Sequence, residues 1–246
     1  VAKKNKHKAR RSPGYIEKKT TQSRNATLDS LRGLAILLMI VDHVAGVFFS
    51  INIAPDTLRF LTRLSMPLFA ILMGFFLARS TKTNWNRLLQ LAVASAAMNI
   101  LYYYVYAELE ILASLLVCYI GFLALGRNFV WCFVAAYFFL QDPSRYLFDY
   151  SLSVVATCVA QGVILQRFGW RIATVTGLLI LPAAWFVTAP TQYALFFILP
   201  ASLLVAGGHA SPKLAVPGLE TLGRYPLTAY LSQYFIILGW KALFLM

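Results

Sequence analysis

Acidic side chains, cysteines and histidines are all scarce in this chain of 246 residues. It has nine Asp and Glu, three Cys and three His, and charged residues of both signs make up 13%. Soluble globular domains carry about twice that charged fraction, so an ordinary soluble domain is excluded. Cys118, Cys132 and Cys158 lie in apolar runs without paired spacing. That excludes a disulfide framework or a cysteine zinc site and leaves small buried hydrophobes. Of His7, His43 and His209, only His43 falls within an apolar span. A multi-histidine metal centre is therefore excluded, and no metal is expected. Internal repeats are lacking too, as are Gly/Pro-broken helices at matched positions, and both absences speak against a transporter.

What is present is apolar. Hydrophobic residues make up 59% and the mean hydropathy is +0.67, which defines an all-α integral membrane protein, a polytopic bundle. Apolar stretches cut at charge or Pro/Gly clusters predict nine transmembrane helices, near 31–52, 63–79, 87–106, 110–126, 129–141, 147–165, 171–188, 192–207 and 225–245. The 129–141 run is short enough to be re-entrant. The stretch after Leu31 is too long for a signal-peptide core and is read as retained.

The net charge of +13 is concentrated at one end. Nine Lys or Arg lie between Lys3 and Arg24 against the single acid Glu17, so residues 1–27 form a basic arm without a core of its own, and 28–246 form the transmembrane domain. No aromatic platform or folded motif accompanies the arm, which argues against nucleic acid as its partner and for the headgroups of the lipid bilayer. With the N-terminus cytoplasmic, eighteen Lys and Arg fall on the inner side and only Arg59, Arg63, Arg145 and Lys241 on the outer. That asymmetry follows the positive-inside rule and predicts nine crossings.

Polar groups inside spans are costly enough to point to function. In the first span the eleven steps from Arg32 to His43 advance about 16 Å through nearly whole turns, so the two share one face about half a bilayer apart. A neutral imidazole there can act as a general base. Asp42 lies about 100° round the helix from His43 and needs a partner elsewhere. In the next span Arg63, just ahead of Met66-Pro67-Leu68-Phe69, is placed to meet Asp42, to point at a substrate carbonyl, or to snorkel to the interface. At the cytoplasmic end Arg32, Arg79, Lys82 and Arg87 come from the ends of three successive spans. Such a cluster suits a phosphate-rich ligand, although positive-inside bias also accounts for it. Arg87, Gln90 and Asn99 form a polar stripe in the third span, and Tyr225, Thr228 and Ser232 form another that would close the last span over the first.

Two patterns carry a resemblance. Arg32-x10-His43 within Leu-Asp-x-Leu-Arg-Gly-Leu-Ala, and Arg63 leading Met-Pro-Leu-Phe-Ala-x-x-x-Gly, resemble the transmembrane acyltransferase superfamily, and within it the TraX-like conjugal-transfer pilin acetylase family. The resemblance is strongest over residues 28–90. Gln233 stands where many superfamily members carry a histidine, so the resemblance assigns it no role. It implies a multi-pass enzyme of the bacterial inner membrane that moves acetyl from cytoplasmic acetyl-CoA to an acceptor at the outer face. The implied acceptor is the N-terminal amine of a pilin subunit, with a cell-surface saccharide hydroxyl as the alternative. His43, Asp42 and Arg63 would be catalytic, and Arg32, Arg87, Arg79 and Lys82 would hold the coenzyme phosphates. A transporter and a non-catalytic scaffold are the rival classes.

Overall fold

The computed structural model describes residues 25–48, 55–80, 83–186 and 190–244. Most of the basic arm, and Lys82, lie outside the described residues. Helices dominate, and the described residues contain no β-strand beyond one isolated bridge between Leu109 and Phe148. Among the described residues, four helical stretches are long and apolar enough to cross a membrane: Phe60–Arg79, Ile111–Phe138, Leu152–Ala184 and Gln192–Ala210. Large apolar side chains such as Trp85, Ile100, Trp131 and Trp185 stand exposed on the perimeter. A soluble protein would hide them, whereas lipid tails solvate them, so the chain reads as a membrane protein.

Helix α1 (Ala26–Phe48) starts where the Asn25 side chain accepts a hydrogen bond from Leu28 N at 3.0 Å, the usual way to satisfy an orphan amide at a helix start. A short α2 (Pro55–Thr62) precedes α3 (Ser65–Arg79), and Arg63 sits in the turn between them. Pro67 falls in the first turn of α3, where its missing N–H leaves no helix bond unmade. Helix α4 (Trp85–Tyr106) is capped by Asn84, and α5 (Ile111–Leu125) by Glu110.

Glycines with positive φ at Gly126 and Gly169 reverse the chain. Helix α5 climbs about 22 Å away from its start. Yet Leu109 N donates to Leu147 O at 2.6 Å, and Asp149 N donates to Leu109 O at 2.9 Å. The 3₁₀ stretch Gly126–Gln141 therefore returns alongside α5. Helix α6 (Leu152–Ala184) breaks at Gly169, with φ 82°. An unbroken helix would put Gln161 and Ala173 about 18 Å apart. Instead Gln161 Nε2 donates to Ala173 O at 2.5 Å, and Thr176 Oγ1 donates to Gln161 Oε1 at 2.8 Å. These are two antiparallel helices meeting at a left-handed glycine, a backbone conformation that costs other residues dearly.

After the 3₁₀ stretch Pro190–Phe197 come α7 (Ile198–Ala210), the short α8 (Pro217–Arg224) and α9 (Pro226–Phe244). The core centres on α3, whose Leu68, Ile71, Leu72 and Phe75 are sealed from solvent. Two close crossings hold it. A Cβ on Gly74 would stand 2.0 Å from Val159 O, and one on Gly162 the same distance from Ile71 O, so α3 and α6 meet backbone to backbone. Likewise a Cβ on Gly33 would meet Leu219 O at 1.9 Å, and one on Gly223 would meet Asp29 O at 1.7 Å. Small residues that let helix backbones touch are the usual device of membrane bundles.

Candidate active site

The Leu-Asp-Ser-Leu-Arg-Gly-Leu-Ala segment is clasped by the chain between α7 and α9. Asn25 Nδ2 donates to Gly208 O, Thr27 Oγ1 to Ser211 O, and Val216 N to Ser30 Oγ. Leu28, Asp29, Ser30 and Ala35 are buried as a result. The segment therefore seats the start of α1 against α8. Because α9 follows directly, it begins at the same end of the bundle as α1 and runs the same way.

Arg32 projects from this clasp. Its Nη1 donates to Asp29 Oδ1 at 2.8 Å, and its guanidinium lies 3.9 Å above the Phe76 ring of α3. Both contacts keep the cation flat and oriented. Arg79 is one turn beyond Phe76, in the last turn of α3, and Arg87 is exposed in the first turn of α4. Between them lies an open depression of about 400 Å³ lined by Ser80, Thr83, Asn84, Trp85 and Asn86. Arg32, Arg79 and Arg87 thus share one end of the bundle.

Asp42 and His43 share the other end but face different helices. Asp42 Oδ1 accepts from Thr62 Oγ1 at 2.8 Å, and its Oδ2 lies 3.7 Å from Arg63 Nη1. Arg63 Nη1 also donates to the Tyr150 hydroxyl at 2.5 Å. This buried group links α1, the α2–α3 turn and the segment leading into α6. Arg63 Nε is buried without a partner among the described residues.

His43 is half-buried and points at α9. The Tyr234 hydroxyl lies 3.3 Å from His43 Nε2, with ring centroids 4.9 Å apart. Tyr234 is itself wedged between Tyr230, at 5.4 Å, and Tyr102 of α4, at 6.4 Å. The imidazole therefore sits in an aromatic corner formed by three helices.

The polar stripe expected to close α9 over α1 is corrected by the fold. Tyr225, Thr228 and Ser232 are exposed, and Ser232 Oγ donates to Thr228 O within its own helix. The buried face carries Tyr230, Gln233 and Tyr234 instead. Their i, i+3, i+4 spacing was visible in the sequence, but only packing decides which polar stripe turns inward. In the α4 stripe, Arg87 and Gln90 are exposed. Asn99 anchors the turn to α5: its Oδ1 accepts from Glu110 N at 2.7 Å and its Nδ2 donates to Ser95 O. Sequence reasoning missed Thr62, Tyr150 and Tyr234. Thr62 adjoins Arg63 but bonds Asp42 twenty residues away, Tyr150 lies 87 residues from Arg63, and neither carries a spacing signal.

Residues 25–110 match a family model described as an acyltransferase domain. The match covers about a third of the chain, from the cap of α1 to the cap of α5, and includes Arg32, His43 and Arg63. No curated protein and no solved structure matches the chain. The match supports the transmembrane acyltransferase superfamily. Together with the apolar helices it supports a membrane acyltransferase.

Proposed function

We propose that the chain moves acetyl from cytoplasmic acetyl-CoA to an acceptor at the outer face of the bacterial inner membrane, with the N-terminal amine of a pilin subunit as first acceptor. The observation that carries this reading is the placement of His43 against Tyr234 about 16 Å along α1 from Arg32, inside the segment that matches an acyltransferase domain. Nine crossings with a cytoplasmic N-terminus are the matching topology. The reversals at Gly126 and Gly169 support it, as does the common direction of α1 and α9.

In this reading Arg32 and Arg87, helped by Arg79 and Lys82, bind the coenzyme phosphates as bidentate or point-charge partners. The pantetheine arm rises along α1 and brings the thioester to His43. In the tautomer whose Nε2–H donates to the Tyr234 oxygen, the second ring nitrogen takes a proton from the acceptor amine as that nitrogen attacks the thioester carbon. The C–N bond forms, the C–S bond breaks, and the coenzyme thiolate leaves with the proton returned by the imidazolium. Arg63 Nε offers a donor to the carbonyl oxygen as it gains charge. Asp42 and Thr62 hold that arginine in place.

The test uses purified full-length protein in lipid nanodiscs with radiolabelled acetyl-CoA. One arm presents a peptide with a free N-terminal amine and another a saccharide. Transfer to the peptide is expected, with a loss of at least about a hundredfold in His43→Ala. Folded wild type that neither binds the coenzyme nor transfers acetyl overturns the reading, and full activity in His43→Ala overturns the mechanism. Transfer to the saccharide alone moves the acceptor to a hydroxyl.

A further inference from the structure

The buried face of α9 carries more polar capacity than the described residues use. Gln233 is 4% exposed and Tyr230 2%. The Gln233 Nε2, the Gln233 Oε1 and the Tyr230 hydroxyl are all sealed from solvent, and none has a hydrogen-bond partner among the described residues. Buried polar atoms in native proteins are almost always paired, because an unpaired one forfeits the bonds it made to water. Tyr230 and Gln233 are also i, i+3 neighbours on one helix face, yet neither satisfies the other. A purely structural face would carry Leu or Phe here, as the core of α3 does. Retaining a full carboxamide, with donors and acceptors both unspent, suits a ligand that brings an acceptor and a donor together.

The position of these groups narrows the ligand. Helix α9 starts beside Asp29 and reaches His43 at Tyr234. Gln233 is therefore one residue, and Tyr230 one helical turn, short of the imidazole on the side of the Arg32 end. Anything running from the arginine cluster to His43 passes them just before its reacting end. A secondary amide presents one N–H and one C=O, the complement of a carboxamide. In the pantetheine arm of a CoA thioester an amide lies two methylenes from the sulfur.

Resting on the acetyl-CoA reading above, we infer that Gln233, with Tyr230, is the binding site for the pantetheine amide nearest the thioester sulfur. Gln233 Oε1 accepts the amide N–H, and Gln233 Nε2 or the Tyr230 hydroxyl donates to its carbonyl. The site sets how far the arm is drawn up and so registers the thioester against His43. It also makes the enzyme selective for pantetheine thioesters over simple alkyl thioesters, because a donor without the amide leaves these groups unpaired.

The experiment is a competition assay on the full chain in nanodiscs, with radiolabelled acetyl-CoA displaced by unlabelled acetyl-CoA or by its analogue in which an ester oxygen replaces that amide N–H. Wild type should bind the ester analogue about tenfold more weakly, the scale of one hydrogen bond to a sealed polar group. In Gln233→Leu, which fills the same space without polar atoms, the two ligands should compete within about twofold of each other. Equal affinity of wild type for both ligands overturns the proposal and needs no variant to fold. A Gln233→Leu protein that keeps the tenfold preference also overturns it. If wild type ignores the ester replacement while Gln233→Leu loses transfer to a peptide but not to a simple amine, the amide recognised belongs to the acceptor and the assignment is wrong. Failure of wild type to bind acetyl-CoA at all sinks the underlying function and this site with it. A wild type that binds and transfers but is indifferent to the amide sinks this site alone.

Discussion

Asp42 Oδ2 lies 3.7 Å from Arg63 Nη1, and both side chains are buried. The pair joins the far end of α1 to the turn before α3, and Thr62 and Tyr150 take up further bonding capacity on each partner. Within a membrane bundle such a pair leaves no isolated charge, and removing one member does.

The first prediction follows from that asymmetry. Asp42→Asn or Arg63→Gln alone should destabilise the protein by about 3–5 kcal/mol. The double variant should lose clearly less than the sum, because neither partner is left charged and alone. Thermal unfolding in nanodiscs of the four members of the cycle checks it, and strict additivity would show that the pair does not interact.

Arg32 has a different duty. Its stacking on Phe76 and its bond to Asp29 orient the guanidinium, so the side chain is rigid before any ligand arrives. Arg32→Ala should weaken acetyl-CoA binding about tenfold or more, the scale of a charge-assisted contact. Arg32→Lys should restore only part, since the fork is lost. The readout is the dissociation constant from the displacement assay, and an unchanged constant in Arg32→Ala removes Arg32 from the phosphate site.

The close crossings predict a graded glycine series. Gly33→Ala and Gly223→Ala force a methyl into a carbonyl oxygen of the opposing backbone. Each should cost about 1–3 kcal/mol as the helices part. Gly218→Ala, on the same short α8 and with open space around its Cβ, should change stability little. Equal melting temperatures across the three variants would refute the backbone contact between α1 and α8.

Asp142 gives a pH dependence outside the apolar helices. Burial alone would raise its carboxyl, but bonds from Ser144 and Ser153 outweigh that and hold it below its ordinary value of 3.8. A depressed carboxyl contributes stability that is fully present above its unfolded pKa and is lost as pH falls through the folded one. Wild type should therefore lose melting temperature below about pH 4 more steeply than Asp142→Asn does. Parallel curves down to about pH 3 would exclude the contribution.

Much of this protein was legible in one dimension. The membrane class follows from apolar runs longer than any soluble helix needs, because bilayer thickness fixes their length. The Arg32–His43 spacing follows from helix geometry alone, since both lie on one continuous helix whose rise per residue is constant. The breaks near 126 and 169 were visible as boundaries between apolar runs, and the structure places a left-handed glycine at each. The contact between Asp42 and Arg63 was foreseen as one of several options, because each residue needed a partner at the same depth.

The faces that meet were not legible. Helix α9 offers two polar stripes of similar spacing, and no local property distinguishes Tyr225, Thr228 and Ser232, which face outward, from Tyr230, Gln233 and Tyr234, which turn inward, Tyr234 against His43. That choice is made by α8, whose glycine contact with Asp29 sets where α9 begins and how it is rotated. Tyr150 reaches Arg63 from 87 residues away, brought back by the turns that join α3, α4 and α5 and by the reversal at Gly126. Sequence by itself determined the membrane class of the protein and the spacing along α1, consequences of bilayer thickness and of the helix repeat. Tertiary structure alone decided which partner each polar group received, because helix rotation is set by packing against neighbours far away in the chain.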